Sequence, residues 1–180
     1  MGRQQPEEDE SGEARWDDER FTRMDQDFLH GSLRMSGLEV VRNGIEQGYV
    51  LGPFYRMIGL RVVEAGPGTV TMACTVTERL HLPIPRVPGA VASAMIELSG
   101  ALAVQTLLEA GDISAVRSLS VDFLEPFSAT DGTVTVLATV DVLDESTGAA
   151  SATVRHDDGT ELARGRIETF VTRRRSTGGR

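Results

Sequence analysis

One cysteine, Cys74, is all the thiol chemistry that this sequence offers. A single cysteine excludes an internal disulfide framework and any zinc site built on paired cysteines. Bases are also scarce, 18 against 27 acids for a formal charge of −9, and all 18 are arginine because lysine is absent. A body this acidic lacks the clustered positive charge that neutralises phosphates, which argues against non-specific nucleic-acid binding. The N-terminus is acidic where a secretory signal needs an apolar stretch. Gly2 follows Met1, but Pro6 stands where a myristoylation motif requires Ser or Thr. The expectation is a soluble cytoplasmic protein with no metal site and neither membrane nor nucleic acid as partner.

The 180 residues are 40% apolar, enough for one domain with a hydrophobic core. Charge is unevenly placed. Residues 1–30 hold ten acids and four arginines, and residues 1–27 contain only two aromatics, Trp16 and Phe21. Such a segment buries too little to offset its ordering entropy, so 1–30 reads as a disordered acidic arm. Residues 31–172 form the expected domain, and 173–180, with four arginines, read as a frayed tail.

Within the domain, Ser36 is placed to cap a short helix reaching Gln47, with Leu38, Val41 and Ile45 at helical spacing. A second short helix is expected over Phe54–Met57, then a strand over Gly59–Glu64. Pro67-Gly68 marks a turn. Beyond it Val70, Met72, Cys74 and Val76 alternate with threonines and Ala73, which is strand periodicity. Cys74 falls on the apolar parity and reads as a buried, inert thiol.

Arg79–Pro88 holds three prolines and reads as irregular. It leads into a helix over Gly89–Glu109 that is apolar all round and so expected to be buried on most faces. Its roughly 20 residues match a bilayer span. Glu97 at its middle, Gln105 and the strand-rich surroundings speak against that, and its many small residues suit a helix closely wrapped by a sheet. Strands follow over Val116–Leu124, Thr133–Leu143, Ala149–Arg155 and Glu161–Val171, the last pair joined by a hairpin at Asp158-Gly159. Two strands, one buried helix and then a run of antiparallel strands indicate an α+β domain.

This architecture resembles the hotdog fold, a curved antiparallel sheet wrapped around one long central helix. More narrowly, residues 36–171 resemble the phenylacetate-pathway (PaaI-like) acyl-CoA thioesterases. The resemblance rests on Met57–Gly68 before the second strand, on Leu119–Pro126, and on Asp157-Asp158-Gly159 before the last strand. The family motif is His-Gly-Gly at the helix start, with a catalytic Asp or Glu seven residues after the last Gly. Here the stretch reads Pro88-Gly89-Ala90, with Glu97 at the acid position. The motif histidine is therefore Pro88, and an upstream Asn or Gln position is Leu82.

The resemblance implies thioester hydrolysis, with Glu97 as base or nucleophile and the Gly89 N–H as oxyanion donor. An unpaired carboxylate in an apolar helix also suggests a special site on its own account, the plainer reading being a Glu that reaches solvent or pairs with an arginine. Backbone N–H groups at a helix start are unpaired and lie at the positive end of the dipole, although Gly89 can equally serve a tight entry into the helix. Gly89 and Glu97 are eight residues apart, roughly 12 Å along the helix and about 80° around it. One helix cannot bring both to one thioester carbon. The resemblance resolves this with a homodimer whose sites take glycine and acid from different subunits, a dimer of dimers being left open.

His81 is a candidate for positioning water, against a plain role as a surface loop histidine. Coenzyme A, part of the substrate here and not a cofactor, carries phosphates that arginine binds well. Arg86 in the proline-rich loop and Arg117, on the parity of Leu119, Val121 and Phe123, are the candidates for them; either can equally be a solvated charge. Acyl-CoA and acyl-carrier thioesters both remain open as substrates. The alternative is a hotdog protein that binds an acyl thioester or another apolar ligand without hydrolysing it, because Leu82 and Pro88 stand where the family has polar residues. A hydratase would need a paired Asp and His, which the sequence does not offer at suitable positions.

Overall fold

In the computed structural model, which describes residues 31, 33–47 and 52–174, the chain enters its first helix through a reciprocal cap. The Glu39 N–H donates to Ser36 Oγ at 3.4 Å while the Ser36 N–H donates to Glu39 Oε2 at 2.8 Å, a capping box that opens α1, Gly37–Gln47. A second helix, α2, covers Pro53–Met57, with Gly52 at φ 144° as its N-cap and Pro53 at its first position. The expected arm over 1–30 and the tail beyond Arg174 lie outside the described residues.

Strands β1 (Leu60–Gly66) and β2 (Thr69–Thr75) form a hairpin through Pro67-Gly68. The alternation in β2 works as expected: Val70, Met72 and Cys74 are fully buried. The Cys74 thiol donates to the Ile58 carbonyl at 3.1 Å, and burial pushes its pKa up to about 11, so it stays protonated and inert. Four further strands follow the central helix: β3 (Ile113–Phe123), β4 (Thr133–Leu143), β5 (Thr147–Arg155) and β6 (Glu161–Thr172). All pairings are antiparallel, in the order β1-β2-β4-β5-β6-β3. This sheet wraps one helix, α3 (Gly89–Gln105), which is the α+β hotdog fold. Arg79–Pro88 is irregular but for one 3₁₀ turn at Glu78–Leu80.

Two expectations about α3 need correction. It ends at Gln105, four residues short of Glu109. The Thr106 hydroxyl donates back to the Ala103 carbonyl at 2.6 Å and accepts the Gly68 N–H at 2.8 Å, so the β1–β2 turn fastens the helix end there. Among the described residues no helix is long and apolar enough to cross a membrane. Nor is α3 buried on most faces. Val91, Ala92, Met95, Ile96, Ser99, Gly100, Ala103 and Val104 are buried, while Ala94, Glu97, Leu98, Ala101 and Gln105 are only partly covered. A single sheet layer encloses one half of a helix and leaves the other half for something else.

The first two residues of the expected frayed tail are instead tied down. Arg173 Nη1 donates to Asp112 Oδ2 at 2.8 Å and the Arg174 N–H donates to Asp112 Oδ1 at 2.7 Å. Asp112 is buried, and its hydrogen bond from the Arg173 side chain does most to hold its pKa below the usual carboxylate range. A carboxylate whose folded pKa is depressed contributes stability that is present at neutral pH and lost as pH falls through that lowered pKa. Asp112→Ala is therefore expected to cost on the order of 2 kcal/mol at pH 7, the scale of hydrogen bonds to a charged group. Thermal melts checked against pH should show the gap to wild type closing in acid. A gap that is constant with pH would assign the loss to packing alone.

Candidate active site

Seventeen residues of α3 include one ionisable side chain, Glu97. It lies on the half of the helix that the sheet leaves open and is half-buried. Among the described residues its carboxylate accepts no hydrogen bond and joins no ion pair. The paired acids Asp112, Asp122, Asp131, Asp141, Glu161 and Glu168 each face an arginine or histidine. Among the described residues, then, the arginine partner considered from the sequence is absent, and Glu97 is left available for chemistry.

Eight residues earlier, the helix opens on Pro88, whose extended backbone serves as N-cap without a side-chain cap. Its carbonyl accepts the Val91 N–H at 3.0 Å. Among the described residues nothing accepts the N–H of Gly89, so this donor stands free at the positive helix end. A Cβ on Gly89 would come within 2.7 Å of the Phe123 ring. The glycine therefore also allows that ring, 60% exposed, to lie against the helix entry. The unpaired N–H and the tight entry are thus both present at Gly89. Within one chain the rise of the helix keeps Gly89 and Glu97 roughly 12 Å apart, so these two groups are not brought to one point.

The loop residues fare differently. His81 Nε2 accepts the Ala129 N–H at 2.8 Å, which ties the 3₁₀ turn before it to a second 3₁₀ turn, Ala129–Asp131. That bond gives His81 a structural role in this fold, and with Nε2 accepting, the ring proton stands on Nδ1. Arg86 is exposed and has no ion-pair partner among the described residues. Its carbonyl accepts the Leu82 N–H at 2.9 Å, closing the proline-rich loop just ahead of Gly89. Leu82 itself is 46% exposed.

Arg117 does not share the parity of Leu119, Val121 and Phe123. A β-bulge between Val116 and Ser118 inserts one extra residue and shifts the register of β3 against β6. Arg117 turns to the other face, where it pairs with Glu168 at 3.1 Å and lies 5.3 Å over the Phe170 ring. That face carries further ion pairs, Arg166 with Asp141 and Glu168, and Arg164 with Asp122. Arg117 belongs to this outer charge ladder and does not reach the helix start.

Tyr55 was not singled out by the sequence. In α2, Phe54, Arg56 and Met57 are exposed, while Tyr55 is partly buried and packs against the core. Burial, with the Glu97 charge adding to it, pushes its pKa up to about 12. The phenol remains a hydrogen-bond donor at any physiological pH, and it feels the Glu97 carboxylate. The available signal was slight: a tyrosine in a chain that has two.

The family model described as Thioesterase superfamily matches residues 87–163, a span that starts at the helix entry and takes in Gly89, Glu97 and strands β3 to β5. No curated protein matches the sequence. Among solved structures, a thioesterase from Haemophilus influenzae superposes with a TM-score of 0.66 at 20% identity, covering 76% of this chain and 94% of that one. AziG of S. sahachiroi gives a TM-score of 0.67 at 24% identity, covering 69% of this chain and all of that one. A phenylacetic acid degradation-related protein from Ralstonia eutropha gives 0.64 at 19%, with 71% and 97% covered. The superpositions agree with the hotdog fold expected from the sequence, and the family model over residues 87–163 is in line with the thioesterase resemblance.

Proposed function

We propose that this chain, a hotdog-fold protein matched to the thioesterase superfamily over residues 87–163, hydrolyses an acyl thioester at a site shared by two copies. The observation that carries the proposal is Glu97: the one charge of the central helix, on its open half, with no partner among the described residues.

In this reading the Gly89 N–H of one subunit holds the thioester oxygen while Glu97 of the other acts at the carbonyl carbon. As base, Glu97 takes a proton from water as the water oxygen attacks and the carbonyl electrons move to oxygen. The negative oxygen is stabilised by the free helix-start N–H, where charge develops only in the transition state. Collapse re-forms the carbonyl, breaks the C–S bond and returns the proton to the leaving thiolate. As nucleophile, Glu97 attacks the carbonyl carbon and the C–S bond breaks to release the thiolate; water then cleaves the anhydride and a proton of that water goes to the thiolate. Label found in Glu97 after one turnover in ¹⁸O-water identifies the nucleophilic route with water attacking the Glu97 carbonyl, since the base route puts the oxygen of water only into the product acid.

A two-fold assembly has support in the sheet. β3 ends the strand order and, among the described residues, pairs on one side only, with β6. An eleven-residue edge strand with exposed Ile113, Leu119 and Phe123 invites pairing with another strand, and a second copy offers the same edge. Phe123 would bring that junction to the helix start. Coenzyme A is the thioester carrier most consistent with Arg86, which is exposed and without an ion-pair partner among the described residues, lies three residues before Gly89 and can meet a phosphate.

A non-hydrolytic acyl-binding protein is the second reading, favoured by the apolar Leu82 and Pro88 in the entry loop. Thiol release from a panel of aliphatic and aromatic acyl-CoAs decides between them, and buried Cys74 adds no background to a thiol assay. Turnover of at least one substrate by a dimer is expected. Binding without turnover across the panel would establish the second reading, and an active monomer would overturn the shared site.

A further inference from the structure

We infer that the acidic segment 1–30 docks, through Trp16 and the acids that follow it, onto a cleft of the same chain lined by Leu33, Arg34, Gly111 and Arg174. The inference is independent of the thioesterase reading. Three observations lead to it. First, the cleft is a built feature about 480 Å³ in volume, and it lies where segment 1–30 joins the domain, since Leu33 and Arg34 are among the first residues described. Gly111 holds φ 87°, and a Cβ on it would come within 2.5 Å of Arg174 Cδ, so the methylenes of Arg174 lie directly across this glycine. The backbone of Arg174 is fixed as well, by the bond from its N–H to buried Asp112. Leu33, 46% exposed, adds an apolar wall.

Second, the cleft carries positive charge that the domain does not use. Arg173 commits its guanidinium to Asp112 and to the carbonyls of Asp144 and Glu145. The guanidiniums of Arg34 and Arg174 are exposed and have neither an ion pair nor a hydrogen bond among the described residues. An apolar floor beside two open guanidiniums suits a partner that presents a ring and acids together.

Third, the segment that ends at this cleft has that composition. Residues 1–30 carry ten acids against four arginines, and the one tryptophan of the chain stands directly before three of the acids, in Trp16-Asp17-Asp18-Glu19. The indole fills the apolar floor and stacks on a guanidinium, while the carboxylates meet Arg34 and Arg174. Only residues 17–32 separate Trp16 from Leu33. A tether that short holds the two at an effective concentration on the order of millimolar, so a weak contact suffices.

Because Trp16 is the only tryptophan, its fluorescence in the full chain reports this segment alone. Emission and acrylamide quenching should be measured for wild type, Arg34→Ser, Arg174→Ser and Arg164→Ser. The last makes the same change of net charge on the outer face, where Arg164 pairs with Asp122. All three side chains are exposed, so circular dichroism should not change. Wild type is expected to emit at shorter wavelength than the chain denatured in urea and to be quenched about threefold less, as an indole shielded on most sides. Each cleft variant should raise quenching at least about twofold, since losing one charge-assisted contact undocks most of the population, and added salt should act the same way. Arg164→Ser should match wild type. Wild-type quenching equal to that of the denatured chain would overturn the inference. So would protection that survives both cleft substitutions, or that Arg164→Ser removes equally. Protection lost on dilution at constant salt would place the segment on a second copy and overturn docking within one chain.

Discussion

Glu97→Gln is expected to leave a folded protein whose thioester turnover has fallen by at least about a hundredfold. The amide has the shape of the carboxylate and one fewer charge, and the side chain is on the open half of α3, outside the sheet-facing core. No ion pair is broken by the change, because Glu97 has none among the described residues. Melting temperature and circular dichroism should therefore match wild type. A glutamine can neither accept the proton of an attacking water nor form an anhydride, so both proposed routes fail together. Thiol release measured at saturating substrate reads the loss as kcat. Retained activity would remove Glu97 from the chemistry and leave the oxyanion donor with no partner of this kind in the helix.

The largest expected effect on stability comes from a glycine remote from that chemistry. Gly37, buried at the start of α1, donates its N–H to the Leu108 carbonyl at 2.9 Å. A Cβ there would come within 1.7 Å of the Gln105 carbonyl oxygen and 2.6 Å of its carbon. These are backbone atoms of the last turn of α3, so no side chain can swing aside to make room. Gly37→Ala is expected to cost roughly 3 kcal/mol or more, the range of overpacking against atoms that cannot yield. Urea denaturation should place its midpoint well below that of wild type. Gly31→Ala, where a Cβ would meet nothing within 4 Å, is the control and should be near neutral. Equal midpoints for the two variants would show that α1 can lift from α3 without loss.

The candidate site was legible in part because one of its members is anomalous in a local pattern. A carboxylate amid seventeen residues that otherwise carry no charge stands out in any reading of the helix, and its lack of a partner among the described residues then came from the fold. Gly89 was legible as a helix start; the Phe123 ring against it was not, since the two are thirty-four residues apart and meet only when β3 folds back along α3. Arg117 was misplaced by a counting rule. Alternation assumes an unbroken strand, and the bulge at Val116–Ser118 inserts one residue that no turn signal announces. His81 was placed in the right loop, but its engagement by Ala129 depends on a contact forty-eight residues away.

Local periodicity determined the element order, the antiparallel run after a central helix, the buried parity of β2 and the place of Glu97. These follow from side chains a few residues apart, whose spacing decides which face each occupies before any tertiary contact forms. Which half of α3 stays open, which strands end the sheet, and which side chains meet Gly89 and Arg117 were decided by the tertiary structure alone. The reason is that each of those outcomes depends on register and on how far one sheet layer can wrap a helix. Both are set by contacts between residues distant in the chain, and no short window of sequence contains them.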